Sequence, residues 1–253
     1  MFDLDDTLAE SKSPILPSMG EALTHLLRHA HVAVITGGKW EQCKKQVVDQ
    51  LPPEAYENLH RLHIMPTCGT QLYRFSNANN ANNAAKTDWE IVYAELLSTE
   101  EKLQITKALE ESMSGMYDMS TLYGDIIEDR EASVVFSALG QQTPVHIKKT
   151  FDPDKKIRLK MLEKLVLMLP EYEIRVGGAT SIDVTKKGMD KGWGIKRLAE
   201  HLDITLDEIG FVGDAIFPGG NDYPAKELGL HCVQVVGPHE TEAHIREWVG
   251  VQR

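Results

Sequence analysis

The amino-acid sequence predicts an α/β protein, with a doubly wound, Rossmann-like parallel sheet as its core and an inserted α+β cap domain. Short β-branched runs alternate with helical patterns in both end regions, which is typical of parallel βαβ units. The middle of the chain instead clusters strands and helices. We therefore expect a discontinuous core of residues 1–79 and 187–253, and a cap of residues 80–186.

Three apolar runs have the composition of strands that are buried on both faces of a sheet. They are "VAVIT" (Val32–Thr36), "IGFVGD" (Ile209–Asp214) and "HCVQVV" (His231–Val236). The spacing of the apolar residues around them predicts helices, which are Ser18–His29, Lys191–His201 and Glu240–Val249.

The middle region begins with a low-complexity stretch, "SNANNANNAAKTD" (Ser76–Asp88). Its Asn, Ala and Ser content predicts a flexible connector into the inserted domain. After it we expect a helix at Thr99–Ser112, a strand at Ala132–Leu139 and a helix near Asp154–Leu169. Asp152 is the predicted N-cap of that last helix.

Composition narrows the classes of function. The 253 residues carry a net charge of −11, which argues against nucleic acid and anionic membranes as partners. The three cysteines form no CxxC pair, so we expect a reducing cytoplasm. Only Met1 and Phe2 precede the first acids, and we expect the native chain to have a few more apolar residues upstream.

The sequence "FDLDDTL" places two carboxylates at the end of a predicted central strand. Because side chains alternate along a strand, Asp3 and Asp5 share one face at the carboxyl edge of the sheet, where α/β proteins bind ligands. Such close acids favour a bound Mg²⁺ or a shared proton, although a solvated turn would also carry them. A calcium loop is excluded, because Leu8 and Pro14 occupy the positions of its Gly and Glu.

Three further stretches follow strands or begin helices. In "ITGGKW", Thr36, Gly37 and Gly38 suit a phosphate, although an ordinary strand-to-helix turn has the same pattern. Lys191 lies at a predicted helix start, where a cation opposes the helix dipole; either a nearby anion or solvent would account for it. Asp214 ends a buried run and should join Asp3 and Asp5.

In this order, DxDxT at Asp3–Thr7, Thr36, Lys191 and "GDAIFPGGND" at Gly213–Asp222 resemble the motifs of the haloacid dehalogenase (HAD) superfamily. The large insertion between the second and third motifs resembles subfamily IIB, and within it the phosphomannomutase-like branch. The resemblance implies that Asp3 is the nucleophile of an aspartyl-phosphate mechanism.

The resemblance also implies the other core roles. Asp5 would be the general acid and base, and Mg²⁺ would be held by Asp3, the Asp5 carbonyl and Asp214. Phosphate oxygens would be held by Thr36, Gly37, Gly38 and Lys191. The residues that orient Lys191 and metal-bound water would be Asn221 and Asp222.

In the cap, the resemblance implies four substrate-binding residues, Arg130, Lys148, Ser181 and Asp183. Gln141 stands where the mutases carry an arginine that grips a second phosphate, and losing a bidentate arginine is not a conservative change. We therefore expect a Mg²⁺-dependent phosphatase for a small phosphorylated metabolite, namely a sugar phosphate. The alternatives are a phosphomannomutase-like isomerase and a non-enzymatic metabolite-binding protein; the chain would be a monomer or a cap-mediated homodimer.

Overall fold

The structure is a computed structural model that describes residues 1–78 and 86–250. The chain divides into two units, of which the first comprises Met1–Ala94 with Asp190–Arg253 and the second comprises Glu95–Met189. The second unit is thus an insertion in the first. It begins later than residue 80 and ends slightly beyond residue 186, the boundaries that composition predicted.

The described strands are β1 (Val32–Ile35), β2 (Leu62–Met65), β3 (Gln71–Ala78), β4 (Lys86–Ala94), β5 (Ile127–Asp129), β6 (Ser133–Ser137), β7 (Tyr172–Gly177), β8 (Ser181–Lys186), β9 (Gly210–Gly213) and β10 (His231–Gln234). The described α-helices are α1 (Pro17–Leu27), α2 (Trp40–Gln46), α3 (Thr99–Met113), α4 (Val145–Phe151), α5 (Lys156–Met168), α6 (Lys191–Leu202), α7 (Tyr223–Glu227) and α8 (Pro238–Trp248). Short 3₁₀ segments lie at Val48–Gln50, Pro53–Arg61, Thr67–Gly69 and Leu206–Glu208.

The N-terminal residues join the two parallel strand pairs of the first unit. β1 pairs with β2, and β9 pairs with β10, both in parallel. Phe2 forms parallel bridges to both Val34 and Val212, so the start of the chain lies between β1 and β9. The acids that follow Phe2 therefore leave the sheet beside the carboxyl ends of two parallel strands, as the sequence predicted.

Helices cover both faces of this sheet. Successive β1 side chains point to opposite faces, so β1 contributes to an apolar cluster on each side. Val34 belongs to one apolar cluster with Leu23 of α1 and Ile245 of α8. Ile35 belongs to a second cluster with Ile195 of α6. The predicted doubly wound α/β core is confirmed, with the antiparallel strands β3 and β4 extending one edge.

The low-complexity stretch is not the connector that its composition predicted. Ser76 of β3 pairs with Asp88 of β4, so both ends of Ser76–Asp88 belong to an antiparallel hairpin of the first unit. Residues 79–85, in the middle of that stretch, lie outside the described residues. The connector prediction failed because backbone pairing between the two strands of this hairpin overrides weak local propensity.

The second unit is an α+β layer. Its antiparallel sheet has the order β5-β6-β8-β7, and the apolar face packs Phe136 and Ile182 against Leu109 of α3 and Leu165 of α5. α4 was not predicted from the sequence. None of the helices in the described ranges combines the length and apolarity that a bilayer crossing requires.

The predicted cap of the last helix in this unit needs correction. α5 begins at Lys156, and the residue at its N-cap position is Lys155, which has a left-handed backbone with φ 58°. Asp152 lies further upstream, and its carboxylate accepts hydrogen bonds from the backbone N–H groups of Ile157 (3.1 Å) and Arg158 (3.3 Å). Asp152 therefore accepts hydrogen bonds from the first turn of α5, as a capping residue does, but it does not occupy the N-cap position.

Candidate active site

Three carboxylates converge at the carboxyl edge of the first unit's sheet. Asp3 follows the bridging Phe2, Asp214 follows β9, and Asp222 directly precedes α7. One carboxylate oxygen from each of the three lies within 4.8 Å of the others. Of the predicted convergence of Asp3, Asp5 and Asp214, the structure brings together Asp3 and Asp214. The third carboxylate is that of Asp222, and the prediction for the Asp5 carboxylate is wrong.

Lys191 is the cation of this cluster. It is the first residue of α6, and its Nζ donates hydrogen bonds to Asp3 and, at 2.5 Å, to Asp222. The side chain is 1% exposed, so the contacts are desolvated. At the same helix start, Asp190 is the N-cap and accepts from the Trp193 N–H at 3.0 Å. The unfavourable position of Lys191 against the helix dipole is therefore offset by carboxylates.

Burial and charge determine the protonation of the cluster. Burial raises the pKa of Asp3 to about 6, although the charge of Lys191 opposes that shift. Burial by itself would lower the pKa of Lys191, but Asp3 and Asp222 outweigh it and raise that pKa. Burial, followed by the charge of Asp222, raises the pKa of Asp214.

The glycines of "GDAIFPGGND" allow the loop to turn back on itself. A Cβ on Gly213 would lie 2.4 Å from an Asp222 carboxylate oxygen, and one on Gly220 would lie 2.0 Å from the Ala215 carbonyl oxygen. The Ala215 N–H donates to Asp222 at 3.1 Å. Asp222 is fully buried against Lys191, whereas Asn221 is exposed, so the structure brings only one of these two predicted residues to the cluster.

The Asp5 carboxylate lies apart from the three clustered acids. It accepts hydrogen bonds from the Lys12 backbone N–H at 2.7 Å, the Gln46 side chain at 3.2 Å and the Gln42 side chain at 3.3 Å. Only its backbone carbonyl was a predicted metal ligand. Sequence reasoning missed Gln42 and Gln46, although two amides at i and i+4 on a helix share one face.

Thr36 and the following glycines form a turn before α2. Thr36 is buried, and its hydroxyl accepts from the Gly38 N–H at 3.2 Å, while its carbonyl accepts from the Cys68 N–H at 2.8 Å. A Cβ on Gly37 would meet no atom within 4 Å, so open space lies beside it. α2 begins at Trp40, two residues after the second glycine.

The four predicted cap residues lie in the second unit. Arg130 donates to Glu128, with its Nε and Nη2 atoms 3.0 and 2.9 Å from one carboxylate oxygen. Asp183 and Ser181 lie on β8; burial raises the pKa of Asp183, against the opposing charge of Arg130. Lys148 on α4 donates to the Gln141 backbone carbonyl at 3.3 Å.

Comparison with known proteins identifies the family. The family model "Eukaryotic phosphomannomutase" matches residues 19–250. The chain belongs to this family. It is 25% identical to a phosphomannomutase of Encephalitozoon cuniculi, with 95% of this chain and 89% of that protein covered. It is 26% identical to a probable phosphomannomutase of Caenorhabditis elegans, with 97% and 92% covered.

Solved structures share the fold of this phosphomannomutase-family chain at low sequence identity. An IMP-bound IMP-nucleotidase of Plasmodium falciparum has a TM-score of 0.70 at 14% identity, covering 99% of this chain and 67% of that chain. A haloacid dehalogenase-like hydrolase of Bacteroides thetaiotaomicron has a TM-score of 0.62 at 14% identity, covering 98% and 97%. The prediction of an enzyme of the phosphomannomutase-like branch is confirmed. The fold that the chain shares with a haloacid dehalogenase-like hydrolase agrees with the predicted superfamily.

Proposed function

We propose that this chain is a Mg²⁺-dependent phosphatase that hydrolyses a small sugar phosphate through an aspartyl-phosphate on Asp3. The observation that carries the proposal is the buried contact of Lys191 with both Asp3 and Asp222, beside Asp214. Phosphoryl transfer depends on positioning and on cations that offset phosphate charge. A desolvated lysine beside a nucleophilic carboxylate holds that carboxylate in position and brings a positive charge to the phosphate.

In the first half-reaction an Asp3 oxygen attacks phosphorus. The bond from phosphorus to the sugar oxygen breaks, and Asp5 donates its proton to that oxygen. In the second half-reaction water attacks the same phosphorus, Asp5 takes the proton, and the bond to Asp3 breaks to release inorganic phosphate. Asp3 is suited to the first step because the contact with the Lys191 cation favours its ionised form.

The oxygen donors of this edge fit Mg²⁺, which prefers carboxylate and carbonyl ligands. The ligands would be the carboxylates of Asp3 and Asp214 and the backbone carbonyl of Asp5. Asp222 is already engaged by Lys191 and by the Ala215 N–H, which favours a role in orienting Lys191. Bound Mg²⁺ supplies neutralisation of charge on the transferring phosphoryl group. Thr36, Gly37 and Gly38 would hold phosphate oxygens.

The charges of the cap favour hydrolysis over isomerisation. A mutase must hold the second phosphate of a bisphosphate, and Gln141 brings no charge to that task. Arg130 is already engaged by Glu128, and Lys148 donates to the Gln141 backbone carbonyl. Because of these contacts, Arg130 and Lys148 offer less positive charge to the second phosphate of a bisphosphate. Ser181 and Asp183 would contact the sugar.

The second candidate is phosphomannomutase-like isomerisation. Membership of the phosphomannomutase family favours it, as does Lys148 at the position of a further family arginine. In this reaction the phosphate on Asp3 passes to the free hydroxyl of a sugar monophosphate and forms a bisphosphate. The bisphosphate then returns its other phosphate to Asp3, which leaves the isomer. Little free phosphate would then appear.

One assay separates the two candidates. Mannose 1-phosphate, mannose 6-phosphate and glucose 6-phosphate are incubated with the chain and Mg²⁺, with and without a trace of sugar bisphosphate. Free phosphate and isomerised product are both measured. We expect free phosphate without a bisphosphate requirement; isomer that needs bisphosphate, with little free phosphate, would favour the mutase.

Two variants sharpen the assay. Asp3→Asn should lower turnover by about 1,000-fold or more, as expected when a nucleophile is removed. Asp6→Asn is the matched control, because the exposed Asp6 carboxylate instead accepts from the Ser11 N–H at 3.1 Å. If Asp3→Asn retains normal turnover, the aspartyl-phosphate proposal is wrong. Gln141→Arg should shift product from free phosphate toward isomer.

A further inference from the structure

Two glutamine side chains of α2 converge on the Asp5 carboxylate. Gln42 reaches one carboxylate oxygen, and Gln46 reaches the other, which also accepts from the Lys12 N–H. The two glutamines are one helical turn apart, so they present their amides on the same face of α2. Both oxygens of Asp5 are therefore held by donors outside the carboxylate cluster.

The chemistry of its neighbours fixes the orientation of the Gln46 amide. Its nitrogen donates to Asp5 and, at 2.7 Å, to the Ser13 carbonyl oxygen. Both partners are acceptors, so a flipped amide would place its oxygen against two other oxygens. Gln46 is 2% exposed, and its own oxygen is buried without a hydrogen-bond partner in the described part of the chain. An apolar side chain would fill this place without that cost.

Gly38 gives Gln42 the room to reach Asp5. A Cβ on Gly38 would lie 2.6 Å from the Gln42 side-chain oxygen. The absence of a side chain at this position therefore serves the amide pair as well as the turn after Thr36.

We propose that Gln42 and Gln46 are positioning residues that aim the Asp5 carboxylate for proton transfer with the sugar oxygen. This inference rests on the proposed function, in which Asp5 is the general acid and base. The two amides hold the Asp5 carboxylate in one orientation. Gln46 also donates to the Ser13 carbonyl oxygen, which fixes its amide relative to the loop that follows Asp5. They touch neither the Asp3 nucleophile nor the Lys191 cation in any hydrogen bond of the described residues.

The test compares two leaving groups in the first turnover. A sugar oxygen needs a proton as it leaves, whereas p-nitrophenolate leaves well without one. Gln46→Met and Gln42→Met keep side-chain size and remove the donor. We expect each to lower first-turnover release of the sugar by about tenfold or more, and of p-nitrophenolate by less than about threefold, with KM little changed. Gln50→Met is the matched control, because Gln50 donates instead to the Lys45 carbonyl.

The outcomes are distinct. A simple structural defect would slow both leaving groups equally, and that result for both variants would overturn the positioning role while Asp3→Asn and Asp5→Asn still abolish turnover. Because Gln42 is less buried than Gln46, its variant tests the role even where Gln46→Met folds poorly. An unaltered chain that releases no phosphate from any ester would overturn both the proposed function and this inference.

Discussion

The charged group of the candidate reaction centre in the first unit and the Arg130–Glu128 pair of the second unit differ in how far they are removed from water. In the first unit, the Lys191, Asp3 and Asp222 side chains are 1%, 6% and 0% exposed. In the second unit, the Arg130 and Glu128 side chains are 18% and 29% exposed. Both groups pair a cation with a carboxylate, but only the first does so almost without solvent.

This difference in burial indicates which of the two charged groups keeps a fixed geometry in the absence of substrate. A buried pair is weakly screened, and removing one member leaves an uncompensated charge that costs about 3–5 kcal/mol. A partly exposed pair contributes about 0.2–1 kcal/mol and can exchange its partner for a ligand. The first arrangement suits a fixed reaction centre, and the second suits substrate binding.

The largest effect should follow removal of the buried cation. Lys191→Met leaves Asp3 and Asp222 facing each other, so we expect the free energy of unfolding to fall by about 3–5 kcal/mol. Urea titration at pH 7 measures it. Lys191→Met combined with Asp222→Asn should recover part of the loss, because one of the two charges is gone. Unchanged stability in the single variant would contradict the comparison.

A pair of histidines tests whether burial alone, without a catalytic role, gives a large effect on the free energy of unfolding. His63 on β2 is buried, and one of its ring nitrogens lies 3.0 Å from a His31 ring nitrogen, near the amino ends of β1 and β2. Burial, with His31 and His201 as further causes, lowers the pKa of His63 to about 3. No role in phosphoryl transfer is proposed for it.

The unfolded chain therefore binds a proton at His63 near pH 6.5, before the folded chain does. The contribution of neutral His63 to the free energy of unfolding is complete above that pH and is lost as the pH falls from 6.5 toward 3. The loss should reach about 2 kcal/mol at pH 5. Urea titrations at pH 7 and pH 5 measure it, and His63→Leu should reduce the difference between them. An equal difference in the variant would mean that other groups cause the acid sensitivity.

The smallest effect on stability is expected at the Arg130–Glu128 pair of the second unit. Glu128→Gln removes the partly exposed partner of Arg130 and should cost less than about 1 kcal/mol in unfolding free energy. If Arg130 binds substrate, its release should instead change KM for sugar phosphates. Thermal unfolding and steady-state kinetics report the two effects separately. A stability loss as large as that of Lys191→Met would remove the distinction between the two clusters.

Local patterns predicted the elements that have strong periodicity. α6 was expected at Lys191–His201 and is observed at Lys191–Leu202; β9 lies within the run Ile209–Asp214. The β3–β4 hairpin was missed, because the Asn- and Ala-rich residues where its two strands approach each other have little β propensity. α4 was missed because its seven residues are too few to show a clear helical repeat.

The sequence by itself determined that acids follow strand ends, since strand alternation and the carboxyl-edge rule are local consequences of residue order. It also determined the motif order that indicates the superfamily. Only the tertiary structure decided that Asp222, and not Asn221, contacts Lys191, and that the Asp5 carboxylate lies against Gln42 and Gln46. Lys191 and Asp3 are 188 residues apart in the chain, so their contact depends on sheet order and helix packing. No local pattern contains that information.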